Sequence, residues 1–154
     1  MKEIIGVDPV RKAAAGVTLV RPDRIDEVLP RADVVFVTAP ATTARKLFDR
    51  ERLSRLKKGA FLINSSRGAI VDTDALVEAL RTGHLAGAGL DSVDPEPLPP
   101  EHPLWDMPNV SNSPHIGGNT DALDRRRFLF VRENLFRFVR GVPLLNVVNK
   151  RRGF

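Results

Sequence analysis

The sequence predicts an α/β domain built on a doubly wound parallel sheet, and three observations predict it. Short apolar runs alternate with short stretches of helical spacing along most of the chain. The run Val34-Val35-Phe36-Val37 is apolar at every position, as expected of a central strand covered by helices on both faces. The notable polar residues fall where the apolar runs end, and in an open parallel sheet that edge gathers loops and helix starts around a ligand.

Each element follows from local chemistry. Ile4-Ile5-Gly6-Val7 reads as a strand ending at Asp8, residues 10–15 as a brief helix closed by Gly16, and residues 17–20 as a second strand. Ile25, Val28 and Leu29 lie at helical spacing between Pro22 and Pro30. Residues 49–57 form a helix capped by Asp49, with Leu53 and Leu56 inward and Gly59 past its end. Phe61-Leu62-Ile63 is the next buried strand. Asp72 caps a helix carrying Ala75, Leu76, Ala79 and Leu80 on one face, with Gly83 as terminator. Residues 87–90 and 110–113 supply two more strands, separated by a proline-rich loop. A long amphipathic helix over about 120–140 ends at Gly141 and Pro143.

At 154 residues the chain is the size of one domain, and 42% hydrophobic residues place it among globular proteins. No apolar run approaches the ~20 residues of a membrane span, and no signal peptide is recognisable. The absence of cysteine excludes disulfides and thiolate–metal sites and fits a cytoplasmic protein; no metal site is expected. The net charge of +5 raises the question of nucleic acid. The densest basic clusters, at residues 125–127 and 150–152, are not interleaved with aromatic residues in a known binding pattern, so no nucleic-acid role is expected.

Asp8, Thr38, the Asn64-Ser65-Ser66-Arg67 segment, Asp91 and His115 stand at or just beyond successive strand ends, which suggests a single crevice. Asp8 is placed either to accept hydrogen bonds from a ribose diol and repel a 2′-phosphate, or to start a turn before Pro9. Arg67, followed by Gly68, is either a bidentate carboxylate clamp or a solvated loop arginine. Glu96 against His115 would fix the imidazole tautomer and favour its protonated form, giving an acid–base group; the other reading is an incidental acid in a proline loop and a packing histidine. His84 and His102 are less useful positions.

Three segments carry a family resemblance: residues 53–80 (LSRLKKGAFLINSSRGAIVDTDALVEAL), residues 87–118 (GAGLDSVDPEPLPPEHPLWDMPNVSNSPHIGG) and residues 133–149 (ENLFRFVRGVPLLNVVN). Together they closely resemble the D-isomer-specific 2-hydroxyacid dehydrogenases, over nearly the whole chain. The resemblance implies a Rossmann-like NAD-binding domain and reversible hydride transfer between nicotinamide C4 and C2 of a 2-hydroxy or 2-oxo acid. It implies that Arg67 binds the substrate carboxylate and 2-oxo group, that His115 gives or takes the hydroxyl proton, and that Glu96 orients His115. Asp8 would bind the ribose, Thr38, Pro40, Ser65 and Asp91 would line the nicotinamide half with Arg67 and His115, and Gly117 and Gly118 would lie beside the carboxamide. The cofactor would be NAD, with NADP left open because Arg11 follows Asp8.

The departures set further expectations. Ser92 stands where the family usually has an apolar residue. The family's substrate-binding domain, and the strand and glycine-rich turn that follow it, would precede Met1, the strand lying between those that end at Asp8 and Thr38. The expected organisation is therefore a partial NAD-binding domain over 1–118 and a long helix with a tail over 119–154. Partners would be a small 2-hydroxy or 2-oxo acid and either a second copy or a complementing chain, with little activity from this chain alone. The alternative is a non-catalytic remnant or a regulatory module.

Overall fold

The computed structural model describes residues 3–11, 13–40 and 44–151. The chain divides into two units, Met1–Pro114 and His115–Phe154. Among its described residues the first holds six strands, paired in parallel within two sheets. β1 (Ile5–Val7) pairs only with β2 (Thr18–Val20) among the described residues, whereas β3 (Val34–Val37), β4 (Ala60–Asn64), β5 (Leu85–Leu90) and β6 (Val110–Asn112) form one sheet in that order. Among the described residues the edges of β1 and β3, between which the resemblance expects a further strand, carry no strand partner.

Three helices connect the strands: α1 (Ile25–Val28), flanked by single 3-10 turns, α2 (Arg50–Arg55) and α3 (Thr73–Arg81). The starts of α2 and α3 are fixed as the sequence predicts. Asp49 accepts the Arg52 amide and Asp72 the Ala75 amide, each satisfying an N–H with no partner inside the helix. Gly59 and Gly83 adopt the positive φ that lets the chain turn back after α2 and α3. Ile25, Leu29, Leu53, Leu56, Leu76 and Leu80 from the helical segments meet Val37, Leu62, Ala88 and Leu90 of the strands in one apolar cluster.

Alternation along the strands shows which face this cluster covers. Ala60, Leu62 and Asn64 of β4 are buried, with Leu62 wholly inaccessible, while Phe61 between them is exposed. On β3 Val37 is buried, but Val34 and Phe36 are 48% and 69% exposed. Register places Val34 beside Phe61 and Phe36 beside Ile63, with Gly87 and Gly89 next in line. β3 is thus neither central nor covered twice, contrary to expectation: it is an edge strand whose Val34 and Phe36 face meets no helix of this unit.

A second correction concerns residues 10–15, of which Lys12 lies outside the described residues. No helix forms among the others. The Asp8 side chain takes the Val10 and Arg11 amides, and the chain then turns through Gly16 at φ +71° with an antiparallel bridge between Ala14 and Val17. An early Asx turn competes with a helix for the same amides and here replaces it.

The second unit is dominated by α4 (Leu123–Val139), shorter at both ends than predicted. Gly141 at φ +64° follows its C-terminus, and Asn134 ties the tail back by donating to Leu145 O and accepting from Leu145 N. Phe128, Val131, Leu135 and Phe138 are all exposed. Arg152, of the basic cluster at 150–152, lies outside the described residues.

Candidate active site

The register of the four-stranded sheet assembles a polar edge. Val37 pairs with Asn64, Asn64 with Leu90 and Leu90 with Asn112. The residues that follow, Thr38, Ser65, Asp91 and Ser113, therefore form a row across the carboxyl ends, about 14 Å long at roughly 4.8 Å per strand. Backbone bonds hold it: Ser65 N donates to Val37 O, Asp91 N to Asn64 O at 2.9 Å and Ser113 N to Leu90 O at 2.9 Å. Ser113 Oγ donates to Asp91 Oδ1 at 2.5 Å. Ser113 was missing from the sequence-derived set because the predicted strand ran one residue too far and enclosed it; counting register from Leu90 would have found it.

Arg67 lies three residues beyond β4, on a turn that rises from this row. It is exposed, its Nη1 donates to Ser66 O at 2.8 Å, and it precedes the 3-10 turn Gly68–Ile70. Its exposed guanidinium faces water. Glu96 is exposed in the loop after β5, and Thr73 Oγ1 donates to Asp94 O of that loop at 2.6 Å. Pro40 is exposed two residues past Thr38.

Asp8 directly follows β1. Its Oδ1 accepts from Val10 N at 2.7 Å and Arg11 N at 2.8 Å, so the turn-starting role is realised. Those amides, Arg11's first, hold the carboxyl below the usual aspartate range. Among the described residues no donor meets Oδ2, so the carboxylate still offers an acceptor. His115, Gly117 and Gly118 belong to the second unit, where His115 has φ +54° and the two glycines form a turn closed by Asn119 N donating to Ile116 O. His84 and His102 are spent on the backbone: His84 Nε2 lies 3.1 Å from Leu53 O, and His102 Nδ1 accepts from Leu104 N.

The residues present fit one half of a dinucleotide. The row provides hydroxyls and a carboxylate at the carboxyl ends of β3–β6, and Asp8 provides an anionic acceptor at the end of β1. Among the described residues no group of three or more His, Cys, Asp or Glu is placed to hold a metal ion, and no helix is long and apolar enough to cross a membrane.

The parallel strands and connecting helices define an α/β domain. Residues 1–117 match the family described as D-isomer specific 2-hydroxyacid dehydrogenase, NAD binding domain, and the chain belongs to that family. It is 42% identical over 127 residues to the glyoxylate reductase of Thermofilum pendens, a match covering 82% of this chain and 38% of that protein. It is 39% identical over 129 residues to a mitochondrial formate dehydrogenase of Hordeum vulgare, covering 82% and 34% respectively. The chain thus spans about a third of the length of these relatives. A D-isomer specific 2-hydroxyacid dehydrogenase from Xanthobacter autotrophicus Py2, solved with NADPH and MES, superposes with a TM-score of 0.90 at 38% identity, over 99% of this chain and 63% of that one. An NADPH-dependent glyoxylate/hydroxypyruvate reductase from Sinorhizobium meliloti, solved with NADP and sulfate, gives 0.90 at 32% identity, over 99% and 49%.

Proposed function

We propose that this chain provides the nicotinamide-binding and proton-handling part of a dehydrogenase that interconverts a small 2-oxo acid and its D-2-hydroxy acid. The single observation that carries the reading is the row Thr38–Ser65–Asp91–Ser113, with the Arg67 turn directly beyond it, at the carboxyl edge of the parallel sheet. The bound cofactor supplies the hydride. Arg67 binds the substrate carboxylate and polarises the 2-oxo group, His115 donates the proton to the forming hydroxyl, and Glu96 orients His115. Thr38, Pro40, Ser65 and Asp91 line the nicotinamide half, and Gly117 and Gly118 lie beside the carboxamide.

Asp8 favours NAD, because its carboxylate would repel a 2′-phosphate. The relatives solved with NADP or NADPH keep NADP in the comparison, and Arg11 is the nearby cation that would soften the preference. The exposed apolar side chains of α4 support a homodimer, and light scattering tests it: a clean monomer at high concentration is the contrary outcome. The cysteine-free composition supports a cytoplasmic location.

The experiment is a chimera in which the portion of the Thermofilum pendens glyoxylate reductase that precedes its matched segment is joined ahead of residue 1. Assayed with NADH and glyoxylate, hydroxypyruvate or pyruvate, it should turn over. His115→Ala should lower the rate about 10²–10⁴-fold, as loss of a general acid does. Residues 1–154 alone should bind NADH weakly in calorimetry and reduce none of the three. A folded chimera with equal rates for wild type and His115→Ala removes the proposed role of His115.

A further inference from the structure

Asn64 is a buried polar side chain at the polar edge that the proposed chemistry leaves without a task. It ends β4, is 1% exposed, and divides its amide between two loops. Nδ2 donates to Arg67 O at 3.1 Å and to Ser92 O at 3.3 Å, while Oδ1 accepts from Ser66 N at 3.2 Å and Ser66 Oγ at 3.0 Å. A primary amide has two donors and two acceptor sites, so its full capacity is used.

The same two loops touch at a second point. A Cβ placed on Gly68 would lie 1.9 Å from Val93 O and 2.0 Å from Val93 C, so the backbone after Arg67 packs directly on the backbone that leads to Glu96. Only glycine permits this approach. Thr73 Oγ1, at the start of α3, holds Asp94 O from the other side.

We propose that Asn64 is a positioning residue that, with Gly68, fastens the Arg67 turn to the Ser92–Asp94 segment, so that the substrate-binding guanidinium and the loop carrying Glu96 are held as one rigid piece. This rests on the roles assigned to Arg67 and Glu96 above. A buried side chain that bonds to two loops couples their motions, because neither can open without stranding a polar group of the other. An asparagine serving only the core would contribute to global stability and would not link these two segments in particular.

Hydrogen exchange on residues 1–154 distinguishes the two. Asn64→Asp keeps the acceptors but turns a carboxylate toward Arg67 O and Ser92 O. Exchange should rise about tenfold at 66–70 and at 92–96 together, with α3 and β5 unchanged, as for a local opening. Ser66→Ala is the milder variant. Ser66 bonds Asn64 and, among the described residues, has no hydrogen bond to the second loop, so a rise of about threefold at 92–96 passes through the two proposed fastenings, the Asn64 amide and the Gly68–Val93 contact. Equal acceleration everywhere in Asn64→Asp, or a response confined to 66–70 in Ser66→Ala, overturns the coupling, and Ser66→Ala decides it alone if Asn64→Asp fails to fold. In the chimera, Asn64→Asp should raise KM for the 2-oxo acid about tenfold while leaving the NADH dissociation constant within about twofold. An inert wild-type chimera would count against the proposed function, whereas the exchange result judges the coupling by itself.

Discussion

The two faces of the β3–β4 pair contain the same kinds of residue and meet opposite fates. On one face Val37 and Leu62 are buried in the same apolar cluster as residues of α2 and α3; on the other Val34, Phe36 and Phe61 stand in water along the same strands. Residue type cannot explain the difference, since both faces are apolar. What separates them is whether a helix of this unit lies over them, and α1, α2 and α3 contribute their buried residues to one cluster. Hydrophobicity reports that a residue is suited to burial; the elements present decide whether it is buried. The exposed face therefore marks where a covering partner would gain most from binding.

The comparison can be broken by mutation, and the effects should fall in a definite order. Leu62→Ala, on the closed face, should cost about 3 kcal/mol in denaturant unfolding, as large-to-small changes in a closed core do. Gly68→Ala should follow at about 2 kcal/mol, because the added methyl meets the Val93 backbone and no flexible side chain can yield. Asp72→Ala, which removes the cap of α3, should cost about 1 kcal/mol. Phe36→Thr, on the open face, should change stability by no more than about 0.5 kcal/mol while reducing self-association. A loss from Phe36→Thr as large as that from Leu62→Ala would show that the second face is covered in solution.

Asp72 also gives a pH dependence. A hydrogen bond from Lys46 at 2.8 Å, then one from the Ala75 amide, lowers its folded-state pKa below the ordinary aspartate value. A depressed carboxylate pKa stabilises the fold above the unfolded-state value, and that contribution is lost as pH falls through the folded-state value. Stability measured by circular dichroism should thus decline in acid, and Asp72→Asn should decline less over that range while starting lower at neutral pH.

Much of this was legible in the sequence wherever the signal is local. Asp49 and Asp72 mark helix starts by their own chemistry, Gly59 and Gly83 mark the ends, and both pairs act where they were expected. Asp8, Thr38, Ser65 and Asp91 could be placed just beyond strand ends because a strand ends where its apolar run does. The exposure of Phe36 was not legible, because an apolar run reports suitability for two covered faces and not the presence of two covers. Ser113 was hidden by a one-residue error in a strand boundary, which only pairing with β5 corrects. Asn64 stands in the 53–80 segment and its bond to Arg67 O is local, yet its attachment to Ser92 depends on a contact across 28 residues of chain, which no local pattern encodes.

The central claim is that the polar edge with Arg67 holds a nicotinamide and a 2-oxo acid for direct hydride transfer. The most direct test follows the hydrogen itself. The chimera is incubated with glyoxylate and each of the two NADH forms deuterated on one face of C4, and the glycolate is examined by NMR. The account predicts deuterium at C2 of glycolate from only one of the two forms, with transfer falling about 10²-fold or more in Arg67→Ala as transition-state binding is lost. Label that washes into water, or transfer equally fast in Arg67→Ala, would contradict it.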